Sequence, residues 1–270
     1  MGSDRQAHRF AVVSGKGGVG KTVITANVAA ALSAMGVRTL VIDADLGLAN
    51  VDIILGLNPS RSLPELLRGD CTLEQVLLRV PGGFDLLPSG SGLFESTRMT
   101  SGTADRMESL LRRLETQYDA ILFDAGAGIG EVVTFFSRIA HTILLVATPE
   151  PTSVTDAYAT LKVLARRYGR KQFSLIVNQA DPDNPEETGS AIVNRLQDVI
   201  SRFLSIATPE PVQLRLAAAI PRDPAVADAI SRQQLLLHAA PNAPSARTIA
   251  WMATSLLPAA MKPGHAHVIR

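Results

Sequence analysis

Short apolar runs alternate along this chain with stretches in which apolar positions recur every three to four residues. The runs fall at 10–14, 39–43, 84–88, 120–124, 142–147, 174–178 and 217–221. Their Val/Ile/Leu content predicts strands covered on both faces. Helical periodicity predicts helices at 21–35, 63–67, 73–78, 104–118, 131–139, 153–168, 186–204, 224–230 and 246–257. This βα alternation predicts an α/β fold around a mainly parallel, buried sheet. The longest irregular stretch, 89–102, is a candidate partner-facing loop, and 180–185 reads as a strand-to-helix turn. With no internal repeat and no long linker, the chain divides into a short tail (1–8), one domain (9–257) and a C-terminal tail (258–270).

The first strand runs straight into a glycine-rich loop. Gly15-Lys16-Gly17-Gly18-Val19-Gly20-Lys21-Thr22 satisfies the phosphate-loop spacing in the strand–loop–helix context that the spacing requires. Glycines let backbone N–H groups curl around a polyphosphate at a helix N-terminus, where the peptide dipoles also favour an anion. Lys21 is placed to reach the terminal phosphates and the Thr22 hydroxyl to ligate Mg²⁺. A second lysine, Lys16, follows the first glycine. The chain has 5 lysines among 26 basic residues, and two of them stand in this loop, which is consistent with a specific need for lysine there.

Three aspartates fall at or just past strand ends, where an open α/β sheet binds its ligands: Asp43 and Asp45 in VIDADLGLAN, and Asp124 closing AILFD. Carboxylates beside a phosphate loop are what a Mg²⁺–nucleotide site needs, one for the metal or its waters and another for the attacking water. A turn or helix-cap role is the alternative reading of Asp124. Asn178 ends the strand LIVN, and Pro221-Arg222-Asp223 follows the last strand.

The string KGGVGKT resembles the deviant Walker A motif of the MinD/ParA ATPases. That resemblance implies a P-loop NTPase fold with a twisted sheet of about seven to eight strands, ATP/ADP and Mg²⁺ as ligands, and ATP hydrolysis. It also implies that Lys16 crosses an ATP-dependent homodimer interface to touch the partner's nucleotide. Asp124 then matches the Walker B aspartate, Asp45 the residue positioning the hydrolytic water, and Asp43 a residue of the metal's outer sphere. Gly126, Ala127 and Gly128 match the second switch. Asn178 matches the position contacting adenine, with a cap or turn asparagine as the alternative. Pro221 and Asp223 match a segment beside the base, where contacts run largely through backbone, and Glu150 stands in a segment that faces the dimer partner, a candidate to touch nucleotide across the interface.

Three longer strings, DADLGLANVDIILGL, TPEPTSVTDAYATLKVL and DAGAGIG, are similar to the flagellar-number regulators of this family, the FlhG/FleN branch. The resemblance spans about residues 9–257. It implies control of flagellar number or placement through an FlhF-type GTPase, flagellar switch proteins or a flagellar master transcription regulator. An ATPase that positions a septum, DNA or another cargo is the alternative within the family. Some relatives begin with a DQAxxLR-like activator helix; here the chain opens MGSDRQAHRF, which places GTPase activation in doubt.

Composition narrows the field further. At 270 residues and 46% hydrophobic content the core is large, and with 4% aromatics it is aliphatic. The net charge of +1 offers no general support for nucleic-acid binding, so DNA binding is not expected. Arg166, Arg167, Arg170 and Lys171 read as cations at a helix C-terminus. His265 and His267 read as solvated tail residues. Cys71, the only cysteine, excludes an internal disulfide and an iron–sulfur reductase built on this loop. No run reaches the ~20 apolar residues of a membrane span, and Gln6 stands where N-myristoylation wants Ser or Thr. The expectation is a cytoplasmic protein. The apolar set Ile249, Trp251, Met252, Leu256 and Leu257 is expected to pack on the sheet, so that peripheral association with the inner face of the membrane or the cell pole is expected to be weak or to need the partner or the dimer.

Overall fold

The computed structural model describes residues 6–45, 51–90, 100–204 and 211–257. Eight strands among these residues form one sheet in the order β3-β4-β2-β5-β1-β6-β7-β8. They are β1 (His8–Ser14), β2 (Thr39–Ala44), β3 (Leu78–Arg79), β4 (Asp85–Leu87), β5 (Ala120–Ala127), β6 (Thr142–Ala147), β7 (Gln172–Ala180) and β8 (Gln213–Pro221). Every neighbouring pair is parallel except β3–β4. The helices are α1 (Lys21–Ala34), α2 (Val51–Ile54), α3 (Leu63–Arg68), α4 (Leu73–Val76), α5 (Ser101–Leu114), α6 (Glu131–Ile139), α7 (Pro151–Tyr168), α8 (Pro185–Phe203), α9 (Pro224–Ser231), α10 (Leu236–Ala239) and α11 (Pro244–Leu256).

Strand alternation splits the core in two. Ala11, Val13, Leu40, Ile42, Ile121 and Phe123 face one layer, built by α5, α6, α7 and α8. Phe10, Val12, Val41, Leu122 and Leu144 face the other, where α1 and α11 pack. Both faces are covered, which is why the strands read as continuous apolar runs. Strand β1 lies between β5 and β6, so the chain leaves it in one direction for β2 and returns on its other side with β6. The loop after β1 therefore sits at the topological switch point, outside the carboxyl ends of the strands.

Several expectations are corrected. The predicted helix at 73–78 stops at Val76, because Leu77 turns extended and Leu78 starts the short β3. Helices α2 and α10 are each four residues long, too short to show a period. Helix α5 begins at Ser101, not 104, where Thr100 caps it by accepting from Thr103 N at 3.2 Å. It ends at Leu114 rather than 118, and Tyr118 points back to donate to Asp85 Oδ2 at 2.7 Å. On α11, Ile249, Met252 and Leu256 are buried as expected, but Trp251 is 61% exposed. It stands two residues from Ile249, on the opposite side of the helix. Residues 91–99 of the irregular stretch and the tail histidines lie outside the described residues. No helix among the described residues is long and apolar enough to cross a membrane.

Candidate nucleotide site

The loop following β1 is shaped by glycine at two places. Gly20, at φ 90°, is the N-cap of α1, and a side chain there would collide with the Asn178 amide. A side chain at Gly15 would drive into the α7 backbone at Asp156. No side chain caps α1 and no acid occupies its first turn, so the N-terminal N–H groups face the loop without a competing carboxylate. Ser14 Oγ donates to Lys16 O at 3.0 Å and Asn178 Nδ2 to Val19 O at 2.8 Å, closing the loop from two sides.

Beneath it, Lys21 Nζ donates to Asp124 Oδ1 at 2.8 Å, with both side chains buried. The Thr25 hydroxyl lies 2.9 Å from Lys21 O and 3.2 Å from the same Asp124 oxygen. Asp124 Oδ2 is buried without a hydrogen-bond partner among the described residues. A buried carboxylate oxygen left unpaired is unfavourable, and a cation or its bound water would satisfy it. Half-buried Thr22 opens the same helix one residue on. The donor set of hydroxyl and carboxylate oxygens suits a hard cation such as Mg²⁺.

Asp43 lies beside Asp124 in the β2–β5 register. Its two oxygens accept from Asp45 N (3.0 Å) and Val51 N (3.3 Å), so this buried carboxylate holds both ends of the segment between them. The intervening residues 46–50 lie outside the described set. Asp45 is half-buried, and a side chain at Gly126 would meet its carboxylate at 3.4 Å. Strand β5 runs past Asp124 through Gly126 to Ala127, and Gly128 N donates to Ser14 O at 2.8 Å. Residues 126–128 are thus tied directly to the root of the phosphate loop.

Lys16 and Glu150 stand on the outer rim, with Nζ and Oε2 3.0 Å apart and side chains 44% and 64% exposed. Thr152 Oγ1 lies 3.5 Å from the same nitrogen. Glu150 occupies the N-cap of α7 but makes no cap bond there. Asn178 does not end its strand as expected, since β7 continues through Gln179 to Ala180, whereas Pro221 closes the neighbouring β8. The Asp223 carboxylate caps α9 through Ala225 N (3.0 Å) and holds the start of α11 through Ser245 N and Oγ (3.2 and 2.8 Å). Burial works against its charge, yet the Ser245 and Ala225 bonds hold it below the usual aspartate value. With its oxygens so engaged, Asp223 acts on this end of the sheet by placing backbone. Thr25 and Asp156 are the residues that sequence reasoning missed. The signal for Thr25 was its place one helical turn after Lys21.

The chain is similar to known nucleotide-binding proteins. Residues 10–237 match the CobQ/CobB/MinD/ParA nucleotide binding domain. The antiactivator FleN of Pseudomonas aeruginosa is 39% identical over 241 residues, 89% of this chain and 83% of that protein. The flagellum site-determining protein YlxH of Helicobacter pylori is 32% identical, over 86% of this chain and 76% of its own length. Among solved structures, the septum site-determining protein MinD of Pyrococcus horikoshii, complexed with Mg-ADP, superposes with a TM-score of 0.75 at 25% identity. The likeness covers 96% of this chain and 99% of that one. The chain therefore belongs to the CobQ/CobB/MinD/ParA nucleotide-binding family, and within it to the MinD/ParA-type ATPases related to FleN and YlxH.

Proposed function

We propose that this chain is an ATP-driven dimerisation switch that sets the number or placement of flagella through partner proteins, with residues 9–257 acting as one ATPase domain. The observation that carries the reading is the buried Lys21–Asp124 pair under the phosphate loop, with one Asp124 oxygen still lacking a partner. In this reading Lys21 turns from Asp124 to the terminal phosphates, leaving Asp124 and Thr22 to hold Mg²⁺. Asp43 supports that site from behind by fixing the path of the Asp45 segment. Mg²⁺, when bound, neutralises phosphate charge and favours phosphoryl transfer.

Asp45 is assigned the positioning of the attacking water, since its carboxylate lies over Gly126 at the mouth of the site. Backbone N–H groups of residues 15–22 cradle the phosphates. Asn178 and the 221–223 backbone border the base. Lys16 and Glu150 face outward together, and a second copy docked there would exchange their mutual pair for contacts across the interface. The relationship to FleN, named an antiactivator, and to YlxH, named flagellum site-determining, supports the flagellar assignment.

The test combines light scattering with a count of flagella. Asp45→Ala is expected to accumulate as a dimer in saturating ATP and Mg²⁺; a monomer under those conditions would sink the switch. A deletion strain is expected to carry extra or misplaced flagella. Normal flagella with misplaced septa or cargo would move the switch to the positioning branch of the family, where the matches to septum site-determining MinD proteins lie.

A further inference from the structure

At the other end of β1, roughly 20 Å from the phosphate loop by strand length, a second polar cavity of about 430 Å³ opens between α5, α6 and the starts of β1, β6 and β7. Four arginines line it: Arg9, Arg112, Arg138 and Arg170. Two carboxylates answer them, Glu115 at 3.1 Å from Arg9 and Glu108 at 3.5 Å from Arg138. Among the described residues the Arg170 guanidinium bonds only the His141 carbonyl, at 3.2 Å, and the Arg112 guanidinium only the Ser109 hydroxyl. Four guanidinium groups against two carboxylates leave a formal charge of +2.

Helix C-termini favour exposed cations, and that explains Arg112 and Arg138 as surface residues. It does not explain Arg9. Its Nε is buried with no hydrogen-bond partner among the described residues. Its backbone N–H donates to His141 Nδ1 at 3.0 Å, so a neutral His141 must carry its proton on Nε2. Burial, and then Arg9 and Arg170, lower the His141 pKa and keep the ring neutral. His141 Nε2 lies 3.4 Å from Arg9 Nη2, which places two N–H donors face to face without an acceptor between them. Donors this close suit two oxygens of one tetrahedral group, and the charge balance calls for a dianion.

We propose that this cavity is a binding site for a phosphoryl dianion, held by Arg9, Arg170 and His141 Nε2, with the remaining volume available to the organic part of a small phosphomonoester. The site is separate from the phosphate loop and independent of its role.

The test is NMR of the His141 imidazole in protein saturated with ADP and Mg²⁺, so that the phosphate loop is already filled. Inorganic phosphate and glycerol phosphate are titrated separately at constant ionic strength. A saturable shift of the His141 signals is expected with at least one probe, and the tighter probe distinguishes free phosphate from a phosphomonoester. Arg170→Ala should weaken that binding by roughly tenfold or more. Should that variant fold poorly, Arg112→Ala, exposed on α5, should weaken it in the same direction. Arg167→Ala, at the same end of α7 but outside the cavity, should leave it unchanged. Absence of a saturable shift with both probes, or equal affinity in Arg170→Ala and the parent chain, would overturn the proposal.

Discussion

Lys21 Nζ and Asp124 Oδ1, 103 residues apart in sequence, are 2.8 Å apart in a buried ion pair that joins the phosphate loop to β5. Because the other Asp124 oxygen is unpaired, the carboxylate is assigned a cation beyond this lysine. Asp124→Asn keeps an acceptor for Lys21 but removes the charge. It is expected to bind ADP while losing most of the tightening that Mg²⁺ brings to the parent chain. Calorimetric titration with and without Mg²⁺ decides; an unchanged Mg²⁺ effect would remove Asp124 from the metal site.

The Lys16–Glu150 pair should behave differently, because both side chains are solvated. Exposed pairs of this kind contribute about 0.2–1 kcal/mol. Lys16→Ala is therefore expected to leave the urea midpoint nearly unchanged and to preserve nucleotide binding by the monomer. Dimerisation in ATP should weaken strongly. Nucleotide affinity reduced as far as in Lys21→Ala would contradict a role across the interface.

Gly20 combines a left-handed backbone with close contact to Asn178. Gly20→Ala is expected to destabilise the protein by about 1–2 kcal/mol from the backbone strain alone, with more from the collision. Nucleotide affinity should fall as well. Gly20→Ala with Asn178→Ala removes the collision but not the strain, so stability should return only in part. Complete recovery in thermal melts would show that the backbone conformation is not required.

Acid should loosen the start of β1, at the end of the sheet away from the phosphate loop. Burial, then His141 and Arg9, lower the His8 pKa from 6.5 to about 4. The unfolded chain then takes up a proton that the folded chain refuses, so stability is full above about pH 6.5 and declines as pH falls toward about 4. After allowance for the ring's partial exposure, the loss is about 1–2 kcal/mol. His8→Gln, able to keep the bond to Thr142, should show a smaller drop in urea midpoint between about pH 7 and pH 5 than the parent chain. An equal drop in both would assign the acid sensitivity elsewhere.

Much of this molecule is written locally. The strands β1, β2, β5 and β6 can be read from apolar runs because burial on both faces demands apolar residues at every position. The phosphate loop is legible because close backbone approach and positive φ require glycine at fixed spacing. Asp43, Asp45 and Asp124 are legible because they stand where the apolar runs stop, at or near the carboxyl ends of β2 and β5, although β5 itself continues to Ala127.

What the chain could not disclose by itself lies in contacts between distant segments. Lys16 and Glu150 can be named separately, yet only the packing of α7 beside the loop pairs them. Asn178 reads as a strand-end polar residue; its bond to the Val19 carbonyl exists because β7 is brought up beside the loop. The arginine-lined cavity gathers Arg9, Arg112, the 138–141 stretch with Arg138 and His141, and Arg170 from four separate segments, each residue ordinary in its own neighbourhood. Hydrophobic period and glycine spacing act over a few residues, so sequence alone determined the strands, the loop and the nucleotide chemistry. Charge pairing and donor convergence act through space, so the tertiary structure, sheet order together with helix packing, decided which of those residues meet.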